Sequence, residues 1–425
     1  MNRLKNISIY PKKEPNNRVS IRFQRIIFWG FLYTVMAGVI RKWVFPFGIV
    51  SNILLFGQLI LPLIMAWQYS KTKENIKNMY QFVLIIYFFI LLLLAANPLN
   101  HTVFHGILGI VIHLGFWYIM LAYLKVANMV SIDKLDTFLF IILIGETVLA
   151  TIQYSLPGDH ILNRYVVENA GSIPIGDGIR VTGSFSYIGG FGALSIFFGF
   201  FSWSLLNRNK KTFLIIASII LALYLSFMSG GRSRVWTVAV LVVLALYENW
   251  EIVLKNFKHY TAVAIVILII SMFSNPFQSF MRAWDNFNDR QQTLSERGET
   301  SGRIYRLYFS AFLYHGDQPI FGAGLGSDYQ GANAVFGTSI TRQKYGYLEE
   351  EPERIVFEGG YFLYLVRIGL FIFILSALKI KKLSKITLFI LFVNSLIVFQ
   401  TFLSFFIATG FIWINNKQKI KNNYG

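Results

Sequence analysis

The side chains best equipped for chemistry in this sequence are arginines set beside glycines. Gly230-Gly231-Arg232-Ser233-Arg234-Val235-Trp236 puts two guanidinium groups at the start of an apolar run. Arg303 and Arg306 follow Ser301-Gly302 and lie about one helical turn apart on one face. Planar guanidinium forks grip phosphate oxygens two at a time, and glycines let the chain fold tightly enough to add backbone amides. Such a set suits recognition of a phosphate or diphosphate. Arg41, Lys42 and Arg180 are further cations beside the ends of apolar segments. Glu358 is the acid best placed to serve as a general base, half buried where an apolar stretch begins. Plainer roles stand beside these. The arginines snorkel to lipid headgroups or pair with loop carboxylates, and Glu358 pairs with Arg354 or another loop arginine.

Other polar residues carry less. Glu146 lies within an apolar run, where an acid serves either a proton path or a hydrogen-bonded helix contact. His113 reads as an interhelical hydrogen bonder. Gly322-x-Gly324-x-Gly326 lacks the Lys-Ser/Thr of a nucleotide loop and reads as a turn with close backbone packing. The acidic run Glu349, Glu350, Glu351 and Glu353 reads as solvated loop. Absence of cysteine excludes disulfides and thiolate chemistry, and the histidines show no metal-ligand spacing.

The elements that position these residues are membrane spans. The chain is 55% hydrophobic and only 14% charged, against about a quarter charged in soluble domains. Its apolar runs are too many to be cores of one soluble domain, because no polar surface would remain to cover them. The fold expected is an all-α polytopic integral membrane protein of about twelve spans with one large extracytoplasmic loop. The spans fall near 26–40, 48–67, 80–96, 103–124, 137–155, 186–206, 212–228, 235–248, 260–273, 357–378, 385–401 and 403–415. That divides the chain into a basic cytoplasmic arm (1–25), a transmembrane bundle (26–273), the large loop (274–356), C-terminal spans (357–415) and a cytoplasmic tail (416–425). Within the loop, Ser301 caps a helix through Tyr314. The final apolar stretch reads as two spans with a tight turn near Phe402, or as one tilted helix. No cleavable signal is evident at the basic N-terminus.

The net charge of +18 comes from basic residues clustered between spans, which fixes orientation and calls for no nucleic acid. Lys71, Lys73 and Lys77, then Lys125 and Lys134, then Arg208, Lys210 and Lys211, then Lys255 and Lys258, and finally Lys379–Lys385 fall inside. Arg41, Lys42, Arg180, Arg232, Arg234, Arg303 and Arg306 then face outside, against the rule. Cations so placed point to an anion at the outer surface.

Several segments resemble the O-antigen ligase and O-antigen polymerase superfamily. Gly230-Gly231-Arg232 resembles its Gly-Ser-Arg, and Ser301-Gly302-Arg303 its Ser-Gly-Arg. Pro319 through Gly326 resembles its Pro-apolar-Phe-Gly-x-Gly-x-Gly segment. Glu358-Gly359-Gly360 followed by Arg367-Ile368-Gly369-Leu370 resembles the segment that returns the chain to the membrane. The match covers about Ser226–Phe373 in the family's order. The resemblance implies a metal-independent glycosyltransferase without cofactor in the bacterial cytoplasmic membrane, with its site outside. The donor would be an undecaprenyl-diphosphate-linked oligosaccharide. Arg232 and Arg303 would hold the diphosphate, with Arg234, Arg306, Arg41, Lys42 and Arg180 as further contacts to diphosphate or glycan. Membrane lipids, a chain-length regulator and a flippase of the pathway are the implied partners. Ligases of the family carry a His-Asn pair where this chain has Gly359-Gly360, and no histidine is near in sequence. The expectation is therefore a polymerase of O-antigen, capsular or exopolysaccharide repeat units. A ligase onto lipid A core or protein, and a flippase of lipid-linked oligosaccharide, are the alternatives.

Overall fold

The computed structural model describes residues 17–70, 78–166, 174–175, 178–272, 275–296, 302, 305, 308–309, 312, 320–329, 333, 336–346, 348, 351–394 and 401–416. Helices form where the apolar runs lie, because a helix satisfies its own backbone polar groups where no water is available. They are α1 (Asn17–Val39), α2 (Ile49–Ser70), α3 (Asn78–Ala95), α4 (Val103–Val126), α5 (Asp136–Ser155), α6 (Ile188–Asn207), α7 (Thr212–Met228) and α8 (Arg232–Glu248). Then come α9 (Trp250–Lys255), α10 (Phe257–Met272), α11 (Asn275–Glu296), α12 (Ile340–Tyr345), α13 (Glu351–Ala377), α14 (Lys382–Phe392) and α15 (Thr401–Asn415). A π-helical turn, Ile40–Val44, extends α1, and Pro174–Ile175 pairs antiparallel with Gly178–Ile179.

Among the described residues, six helices are long and apolar enough to cross a membrane: Val19–Val44, Ile49–Gln68, Val103–Met129, Asp133–Ser155, Ile188–Asn207 and Glu351–Ala377. Met79–Ala95, Thr212–Met228 and Ser404–Asn415 are apolar but shorter. The outer faces of these helices stay apolar: Leu93 is 75% exposed, and Ile141 and Leu365 are 62% exposed. In water such a surface would drive aggregation, so its solvent is hydrocarbon.

The centre of the bundle is α6, whose apolar window is buried on every side. It packs against α15, α7 and α8, while α4 gathers α2, α3 and α15. Phe31, Phe197, Phe405 and Phe406 form an aromatic core between them. Gly410 lets α15 press on α6, since a Cβ there would come within 2.3 Å of the Phe200 ring.

Two expectations change. The large connection carries a long helix, α11, that its polar composition did not announce. Phe280, Trp284 and Phe287 lie along one face of α11 and close on Phe227 of α7, with ring centroids 5.3–5.4 Å apart. The last apolar stretch holds two helices, but Phe402 lies inside α15: α14 ends at Phe392 and α15 begins at Thr401.

Candidate functional site

Two structures meet the sequence-derived candidates, an arginine turn and a glycine turn. In the first, α7 ends at Met228 and Gly230 takes φ 62°, a left-handed conformation that a side chain would resist. Ser229 Oγ donates to the Ser226 carbonyl at 2.7 Å and accepts from Gly231 N at 3.3 Å, which fixes the reversal. Gly231 is the N-cap residue of α8, so Arg232 and Arg234 both sit in that helix's first turn. The helix end adds its own partial positive charge there.

Helix α11 lies against this turn. Arg290 Nη1 donates to the Gly230 carbonyl at 3.3 Å, and Arg232 Nη1 donates to Gln291 Oε1 at 3.2 Å. Asn286 Nδ2 donates to the Tyr154 hydroxyl at 2.9 Å. A narrow crevice of about 20 Å³ lies among Tyr154, Gly230, Arg232, Asn286, Phe287 and Arg290. Arg234 folds back over Gly231 and Gly192, where an added Cβ would come within 2.9 and 2.1 Å of it. Its electrostatic neighbours are Arg180, Tyr187 and Tyr165. Among the described residues no carboxylate forms an ion pair with Arg234.

Arg41 and Lys42 serve differently. Arg41 is buried, with Nε donating to Ser51 Oγ at 3.2 Å and Nη1 to Ser186 Oγ at 2.9 Å. Lys42 is wholly buried, and its Nζ donates to Thr182 Oγ1 at 2.5 Å and the Gly183 carbonyl at 2.9 Å. Glu146 accepts from the Ser184 backbone at 3.1 Å and from its hydroxyl, and Lys42 is its nearby cation. Gln153 holds Gly183 through both amide atoms at 2.9 Å. These side chains strap the loop before α6 in place. Lys42 therefore offers no cation to solvent, and Glu146 is a hydrogen-bonded contact.

The glycine turn spans Ile320–Tyr329. Gly322, Gly324 and Gly326 all have positive φ, as expected of a close-packed turn. Gly360, with φ 69° and ψ −179°, breaks α13 and frees upstream carbonyls from the helix ladder. Phe357 O then accepts from Ala323 N at 2.7 Å, and Glu358 O accepts from Gly324 N at 3.0 Å. Asn97 and Asn100, after α3, donate to the carbonyls of Gly322 and Leu325 at 2.8 and 3.0 Å.

Glu358 is 1% exposed, not half buried at a span end. Its carboxylate accepts from Gly326 N at 2.8 Å and Asp328 N at 3.1 Å. Its third partner is a histidine that sequence proximity did not reveal: His113 Nε2 lies 2.8 Å away. Arg367 Nη1 donates to His113 Nδ1 at 3.1 Å, so the imidazole proton sits on Nε2 and points at Glu358. Arg354 pairs with Asp328, 3.3 Å from Nε to Oδ2, and not with Glu358. Burial, with Glu358 beside it, pushes the Asp328 carboxyl up to about 7, against the pull of Arg354 and Arg342. Tyr329, next along, lies in the field of Arg41.

Arg303 and Arg306 lie outside the described residues, as does the expected N-cap Ser301. Gly302, Tyr305, Tyr308, Phe309 and Phe312 of that segment are helical. Tyr308 donates to the Ile390 carbonyl at 2.8 Å, and Phe312 stacks on Tyr361. Among the described residues no group of acids and histidines has metal-binding geometry. Sequence reasoning missed Arg290, Gln291, Asn286 and Asp328. The three on α11 share that helix with Phe280, Trp284 and Phe287, whose i, i+4, i+7 spacing could have shown a helix. Compared with protein-family models, curated proteins and solved structures, the chain matches none.

Proposed function

We propose that this protein is a membrane glycosyltransferase that joins undecaprenyl-diphosphate-linked oligosaccharide repeat units into O-antigen, capsular or exopolysaccharide chains outside the cytoplasmic membrane. A hydroxyl of the acceptor sugar displaces the lipid diphosphate at the anomeric carbon. Negative charge grows on the leaving phosphate, so cations already in place stabilise the transition state more than the ground state. The observation that carries this reading is Arg234, set beside Arg180 and, among the described residues, in no ion pair with an acid, in the turn that also bears Arg232. Arg232 and Arg234 hold the diphosphate, with Arg303 and Arg306 completing the grip. Arg290 and Gln291 orient Arg232. Glu358, closed in by its three donors, fits the role of positioning the glycine turn better than that of a base.

The ligase reading draws support from His113, which restores a histidine to the place where the chain returns to the bundle. Purified protein given a synthetic lipid-diphosphate repeat unit and no other acceptor separates the possibilities. Longer lipid-linked chains are expected. Product that forms only with a core acceptor means a ligase. Movement between leaflets without covalent change means a flippase and ends the proposal.

A further inference from the structure

At the opposite end of α7 and α8 from the arginine turn, an apolar cleft of about 330 Å³ lies among α6, α7, α9 and α10. Ile215, Ile216 and Ile219 of α7 form one side, and Val253, Phe257 and Ala264 face them. Only the Tyr260 hydroxyl and Thr261 bring polar side-chain atoms to the lining. Water in such a space has too few partners to be well held, whereas a hydrocarbon chain buries apolar area there.

The rim is charged. Lys211 precedes α7, Lys255 ends α9 and Lys258 follows Phe257, and all three are exposed. Among the described residues neither Lys255 nor Lys258 forms an ion pair, whereas the neighbouring Lys210 is held by Asp133 at 2.6 Å. An apolar slot with unpaired cations at its mouth matches a molecule with an apolar tail and an anionic head.

We propose that this cleft holds one acyl chain of an anionic bilayer phospholipid, with the phosphate against Lys255 and Lys258. The site is separate from the arginine turn and does not depend on the reaction proposed for it. The lipid fills the gap that α10 leaves beside α7, and so fixes the helix pair that leads into α11.

The test is native mass spectrometry of the full-length protein in detergent, titrated with palmitoyl-oleoyl phosphatidylglycerol or with the phosphatidylcholine of the same chains. Roughly thirtyfold tighter retention of phosphatidylglycerol is expected, the combined effect of two lysines near an anionic headgroup. Lys255→Gln with Lys258→Gln, both exposed changes, removes that preference. Ile219→Trp fills the slot and lowers retention of both lipids. Equal retention of the two lipids by the native protein overturns the proposal, as does a preference unchanged in the lysine variant. So does a disulfide between two Ile216→Cys chains, which would mean that a second copy fills the cleft.

Discussion

The contact between His113 and Glu358 joins residues 245 positions apart and sets the geometry of the whole glycine turn. His113→Ala leaves the carboxylate with two backbone donors and deprives Arg367 Nη1 of its acceptor. Glu358→Gln leaves three donors facing an amide that has one acceptor oxygen. Removing one hydrogen-bond partner from a buried carboxylate costs about 2 kcal/mol or more, so each single change should lower stability by about that much. The two losses overlap because they remove one shared bond. Their sum should exceed the double variant's loss by about 1.5 kcal/mol, near the upper end for interhelical hydrogen bonds in membranes. The upper end applies because one partner is ionic and water is excluded. Equilibrium unfolding in mixed micelles of sodium dodecyl sulfate measures all four proteins. Additivity within about 0.5 kcal/mol would refute the coupling.

Other outcomes follow from the same geometry. Asp328, pushed up to about 7, holds its proton more tightly folded than unfolded, so stability falls as pH rises from about 4 through 7. Melting curves from pH 5 to 8 should show that fall, and Asp328→Asn should flatten it. Gly360→Ala places a Cβ within 1.7 Å of the Ile320 carbonyl at φ 69°, and should cost at least about 2 kcal/mol in the same unfolding assay. Arg234→Ala should lower turnover of a lipid-diphosphate donor by about a hundredfold or more without lowering the melting temperature, since no carboxylate among the described residues pairs with it. Full turnover in that variant would remove Arg234 from the site.

The helices were legible because length and apolarity are local properties: helices overlap the expected apolar runs, although among the described residues six are long and apolar enough to cross a membrane and the run 385–401 is helical to Phe392. Helix α11 was not, since its composition is that of a surface loop and only its aromatic spacing betrays a buried face. The glycine turn was readable as a turn, but its partners were hidden. His113 lies on α4 and Glu358 on α13, and nothing along the chain reports that the two helices touch. Glu358 was expected to be half buried because it heads an apolar run. The break at Gly360 instead folds the turn over it. Lys42 was read as an outward cation from its place beside a span end, yet the loop before α6 wraps its ammonium group.

The reading depends most on which side of the membrane the arginine turn faces. The chain has no cysteine, so Ser233→Cys, at an exposed position between the two arginines, supplies the sole thiol. A membrane-impermeant maleimide applied to intact cells, with any outer envelope made permeable, should label that thiol in full. Labelling that requires disruption of the cytoplasmic membrane would place the arginines in the cytosol, away from any outer-surface diphosphate.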